Sequence, residues 1–70
     1  MLKKGDIVNI KCIGEGFWKG KVTEISTEYN DTIKYRSPIA TVKGIDNPGH
    51  ATVREENLKI EDGEWWERED

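Results

Sequence analysis

The sequence predicts an all-β fold: a five-stranded small barrel with one short helical turn before the last strand. Three observations predict it. No window of about 11 residues keeps apolar positions at i, i+3, i+4 and i+7 without an interrupting Gly or Pro. Short alternating runs are bounded by turn residues instead. The chain has 70 residues and 34% apolar content, enough for one domain with a thin core. Closing a sheet on itself spares such a core its exposed edges.

The first strand is expected over Asp6 to Ile13, with Val8, Ile10 and Cys12 on one face and Asn9 and Lys11 on the other. Gly14-Glu15-Gly16 then forms a tight turn, because Gly tolerates positive φ. The second strand runs from about Trp18 to Ser26. Its apolar Val22 and Ile25 are three apart, which predicts a bulge or a sharp twist. Residues 27–38 read as a long, partly extended loop. Asn30-Asp31 is a turn signal, and Pro38 ends any hairpin arm over Thr32 to Arg36 or sits at an edge. A third strand covers about Ile39 to Ile45. The turn Asp46-Asn47-Pro48-Gly49 leads to a fourth strand at about Ala51 to Arg54. Glu55-Glu56-Asn57 makes the helical turn, and Leu58 to Ile60 closes the sheet as the fifth strand. This order describes an SH3-like small barrel. The competing architecture, a five-stranded oligonucleotide-binding barrel, wants longer strands and more residues.

Charge divides the chain. Residues 1–60, the barrel, carry 10 basic and 8 acidic groups, a net of +2. Residues 61–70, read as an acidic C-terminal tail containing Trp65 and Trp66, carry 1 basic and 6 acidic groups, a net of −5. The whole chain stands at −3 with a pI near 5.1. That balance lacks the strong positive field of a sequence-independent DNA binder. No run of about 18 apolar residues is present. The start, Met-Leu-Lys-Lys-Gly-Asp, lacks a secretory apolar stretch. The lone Cys12 makes neither an internal disulfide nor a cysteine zinc site. A cytoplasmic protein without metal or cofactor is expected.

The sequence offers no catalytic constellation. Cys12 falls on the face of Val8 and Ile10 and is expected in the core, away from His50, which follows a Pro-Gly turn and is expected exposed. The Gly14-Glu15-Gly16 turn lacks the following helix that a phosphate site needs. The chain is therefore read as not an enzyme.

Two family resemblances add to this. Lys4-Gly5-Asp6-Ile7-Val8, then Gly16 and Lys19-Gly20-Lys21-Val22 with Ile25, resembles the KOW motif of ribosomal proteins and transcription elongation factors. It covers about 22 residues and implies an SH3-like barrel that binds RNA or DNA. Gly16-Phe17-Trp18-Lys19-Gly20-Lys21-Val22, with Val42 to Asp46 and Val53 to Leu58, resembles Tudor-type barrels. Those read methylated Lys or Arg in an aromatic cage. Trp18 matches a cage position. Gly44 and Asn47 stand where aromatics are expected, which leaves Tyr29 and Tyr35 as the rings to replace them.

The expected contact face joins the first hairpin to the 27–38 loop: Phe17, Trp18, Lys19, Lys21, Tyr29, Tyr35 and Arg36. Trp18 is its anchor and the cations its rim, because Trp, Tyr and Arg dominate interface hot spots. A non-catalytic docking or adaptor module for a protein or nucleoprotein partner is the leading reading. A KOW-type nucleic-acid barrel and an accessory subunit or inhibitor of a larger complex are the alternatives.

Overall fold

The structure, a computed structural model, describes the backbone of residues 1–30 and 35–69 and the side chains of 1–26 and 38–69. Its described residues are all-β apart from one 3-10 turn. The strands are β1 (Ile7–Lys11), β2 (Phe17–Asn30), β3 (Tyr35–Gly44), β4 (His50–Arg54), β5 (Leu58–Glu61) and β6 (Glu64–Glu67), and the 3-10 turn η1 (Glu55–Asn57) lies between β4 and β5. They form a single curled sheet in the order β4-β3-β2-β1-β6-β5. Among the described residues no helix is long and apolar enough to cross a membrane.

The sheet differs from the expected barrel in three ways. Its described residues form six strands rather than five. Its terminal strands β4 and β5 are not paired to each other among the described residues; η1 connects them. Both are short, of five and four residues, which limits the backbone edge open to stray pairing. The sixth strand comes from the segment read as an acidic tail. There β6 pairs parallel with β1 (Val8 opposite Trp65, Asn9 opposite Trp66) and antiparallel with β5. The β5–β6 turn is Asp62-Gly63, with φ of 53° and 80°. A two-residue hairpin turn with both centres at positive φ matches the twist of the strands it joins, and Asp-Gly is among its preferred sequences.

The described parts of 27–38 are strand rather than loop. Ser26 to Asn30 pair antiparallel with Tyr35 to Ile39. The Asn30-Asp31 turn and most of the Thr32 to Arg36 arm lie outside the described residues. Pro38 sits opposite Thr27 inside β3. The amide of Gly44 points towards β4, donating to the Gly49 carbonyl at 2.8 Å. Amides alternate along a strand, so Pro38, six residues earlier, has its ring nitrogen on the same side. There the β4 ladder has already stopped at the Ile39–Arg54 pair, so no donor is missed.

The bulge expected between Val22 and Ile25 is present: the β2–β3 register shifts between Val22 and Glu24. It turns both Val22 and Ile25 to the inner face. That face holds the core of Leu2, Val8, Ile10, Val22, Ala40, Val42, Val53 and Leu58, with Trp18, Ile25 and Trp65 packed against it. Each fully buried aliphatic side chain contributes about 1.5–3 kcal/mol. Cys12 falls short of the core expected for it. It lies past the end of β1, half-buried, where its amide donates to the Gly16 carbonyl at 3.0 Å. Glu55 in η1 accepts the Leu2 amide at 2.6 Å, fixing the N-terminal segment over the core.

Candidate functional site

Strand parity sorts the expected contact residues. Phe17, Lys19 and Lys21 alternate with Trp18, Gly20 and Val22 along β2, so the two sets point to opposite faces. Val22 is buried and Trp18 packs on the core. Trp18 is therefore an inner-face residue, not the exposed anchor. It lies beside Gly20, which pairs with Val8 on one side and Gly44 on the other. A Cβ at Gly20 would stand 2.4 Å from a Val42 methyl and 3.1 Å from the Trp18 ring. Gly20 thus keeps the room those side chains fill. Phe17, Lys19 and Lys21 do share the outer face. The side chains of Tyr29, Tyr35 and Arg36 lie outside the described residues; their backbones pair as Tyr29 with Arg36 and Asn30 with Tyr35.

The ring that meets Phe17 is Trp66. Phe17 in β2 and Trp66 in β6 flank β1 and touch across its outer side, ring centroids 5.1 Å apart at 86°. This edge-to-face geometry suits the ring quadrupoles. Both residues are half-buried. The Trp66 indole donates to the Glu61 carbonyl at 3.3 Å, so the ring is oriented from β5.

A polar network lies beside the rings. Asn9, opposite both Lys19 and Trp66, is 3% exposed and the one buried polar residue among those described. Its side-chain amide donates to Glu64 Oε1 at 2.9 Å and to the Trp65 carbonyl at 3.0 Å. Lys19 Nζ reaches the same Glu64 oxygen at 2.7 Å. The Lys19 ammonium, and after it the Asn9 amide, hold the Glu64 carboxyl below its ordinary 4.5. On the inner side, Asp6 Oδ2 accepts the Trp65 indole at 3.2 Å and the Lys3 amide at 3.0 Å. Desolvation pushes the Asp6 carboxyl up, but these donors and the Lys3 ammonium outweigh it and leave the group below 3.8. The acidic segment thus meets the basic body through Lys19, as opposite charges suggest, but does so as a strand of the sheet.

Two charged regions flank the rings. One is basic: Lys21 stands directly opposite Lys43, and Lys43 opposite the exposed His50. The other is a cleft of about 230 Å³ lined by Phe17, Lys59, Glu61, Asp62, Trp66, Glu67 and Glu69. Lys59 is 3.5 Å from Glu61, and Glu67 accepts the Lys11 amide at 2.8 Å. The cleft is smaller than the roughly 300 Å³ at which small-molecule sites begin. Among the described residues no three His, Cys, Asp or Glu side chains converge to hold a metal ion.

Sequence reasoning missed Trp66, Glu64 and Asn9 because it treated residues 61–70 by their charge. The signal was Asp62-Gly63 between two short runs, a hairpin sequence. Comparison with protein-family models, curated proteins and solved structures finds no match to this chain.

Proposed function

We propose that this chain is a non-catalytic docking module, an SH3-like barrel extended by β6, which contacts a protein or nucleoprotein partner through the outer face of β1, β2 and β6. The meander β1 to β4, the single 3-10 turn and the short returning β5 support the SH3-like reading. The Phe17–Trp66 pair carries the functional one. These two large rings meet on the outer face of a sheet whose core lies on the other face. Half-buried aromatics with charged neighbours are the side chains that dominate contact energy. Lys11, Lys19 and Lys21 edge the pair.

The test is quantitative capture of protein from the native source on the immobilised native chain and on Phe17→Ala. Phe17 lies outside the core, so folding should persist, as circular dichroism will check. Loss of an interface aromatic costs about 1–2 kcal/mol or more, so at least about fivefold weaker retention is expected. Equal retention by the two chains refutes the reading.

One observation favours a second reading, a nucleic-acid barrel of the KOW type. Like charges directly opposite across a ladder are destabilising, and neither Lys21 nor Lys43 makes an ion pair among the described residues. Such a pair suits a phosphate between them. A mobility shift at low salt with single-stranded RNA and duplex DNA separates the two. Docking on protein predicts no shift. A shift on duplex DNA that falls by about 0.9 log unit per log unit of salt for each phosphate contacted, and that Lys21→Glu removes, favours nucleic acid.

A further inference from the structure

We infer that the cleft beside Trp66 seats a cationic side chain, an arginine or lysine, projecting from a basic segment of the protein partner. This rests on the docking reading and adds the chemistry of what docks.

Size comes first. A cleft of about 230 Å³ suits one long side chain better than a drug-sized ligand. Its walls come next. Phe17 and Trp66 line one part, and the Glu61 carbonyl fixes the Trp66 ring through its indole N–H. A cation entering here has aromatic π-density within reach, and an oriented ring needs little ordering on binding. Charge decides the sign of the occupant. Glu61, Asp62, Glu67 and Glu69 face the same space. Lys59, the one cation of the lining, lies beside Glu61. Asp62 and Glu69 make no ion pair among the described residues. An acidic or neutral apolar side chain would meet uncompensated negative charge. A cationic one gains both the ring and the carboxylates, and its aliphatic stem packs on the rings.

The fold also explains why the carboxylates gather here. Asp62 sits at the tip of the β5–β6 hairpin, with Glu61 before it in β5 and Glu67 and Glu69 at the far end of β6 and beyond. Trp66 stands opposite Lys59 between them.

The probe is a short glycine–arginine peptide, titrated while the Trp66 indole N–H is followed by NMR at low salt. Its control carries citrulline, the neutral isostere, at each arginine. The variant is Glu61→Gln with Asp62→Asn and Glu69→Gln; Asn tolerates the positive φ at 62, and the Glu61 carbonyl that holds Trp66 is retained. The expected result is saturable movement of the Trp66 signal with the arginine peptide. It should be at least about tenfold weaker for the citrulline peptide and for the variant, and weaker again with added salt. Equal response to both peptides overturns the inference, as does no response to either. Movement of the signal with protein concentration alone assigns the cleft to a second copy and overturns it too. Partner capture by the carboxylate variant separates the two claims. Capture retained by that variant but lost in Phe17→Ala leaves docking intact and removes the cation. Capture retained by both removes docking.

Discussion

At Gly20 the missing side chain is what matters. Its neighbours in the ladder are Val8 and Gly44, and the space above it belongs to Val42 and Trp18. Gly20→Ala places a methyl 2.4 Å from Val42 Cγ1 and 3.0 Å from the Lys43 carbonyl oxygen. Overpacking of this kind costs about 1–3 kcal/mol. Urea denaturation should show that loss. Adding Val42→Ala to Gly20→Ala should cost less than the sum of the two single changes, because the cavity and the clash share one space. Trp18 teaches the same lesson about faces. Phe17, Trp18 and Lys19 are consecutive, and consecutive strand residues cannot share a face. The alternation that correctly placed Val8 and Ile10 inside was legible for β2 as well. The attraction of an exposed tryptophan beside two lysines hid it.

Strands and turns were legible wherever hydrophobic alternation or turn chemistry spoke alone. Val22 and Ile25, three apart, gave away the bulge, and Glu55-Glu56-Asn57 forms the short helical turn expected of it, as a 3-10 turn. Two elements were obscured by a stronger local signal. Polar residues and Pro38 made 27–38 look like a loop, although a proline facing away from its ladder leaves a strand intact. Six acidic groups made 61–70 look like a solvated tail, although Asp62-Gly63 is a hairpin turn. The β5–β6 hairpin carries a direct prediction. Gly63 has φ of 80°, and an L side chain there costs about 1–3 kcal/mol. Gly63→Ala should lower the thermal midpoint measurably, while Asp62→Asn, which keeps a residue at home in that region, should leave it nearly unchanged. Equal effects from both would mean that the turn does not govern the hairpin.

For the molecule as a whole, two of the carboxylates that join the acidic segment to the body have shifted pKa values: Glu64, bound to Lys19 and Asn9, and Asp6, bound to Trp65. Both have folded pKa values below their ordinary 4.5 and 3.8. The unfolded chain therefore binds more protons than the folded one as pH falls through this range, and stability rises with pH there. Their contribution is fully present above about pH 5 and is lost as pH falls through the depressed values. Denaturation midpoints should fall as pH drops below about 5, and Glu64→Gln should flatten that fall. An unchanged slope would place the acid sensitivity elsewhere. The parallel contact of β1 with β6 was the part of the architecture least open to sequence reading. Such pairing leaves no local pattern, since it depends on segments 57 residues apart, Val8 and Trp65.

That separation also sets an order of events when the polypeptide is made. β2 reaches β1 soon after both leave the ribosome, but the far side of β1 waits, its amides and the Asn9 side chain open to water, until β6 emerges. Trp65 and Trp66 follow their partners Val8 and Asn9 by 57 residues, so this flank of the sheet closes after the β1–β2 hairpin has formed.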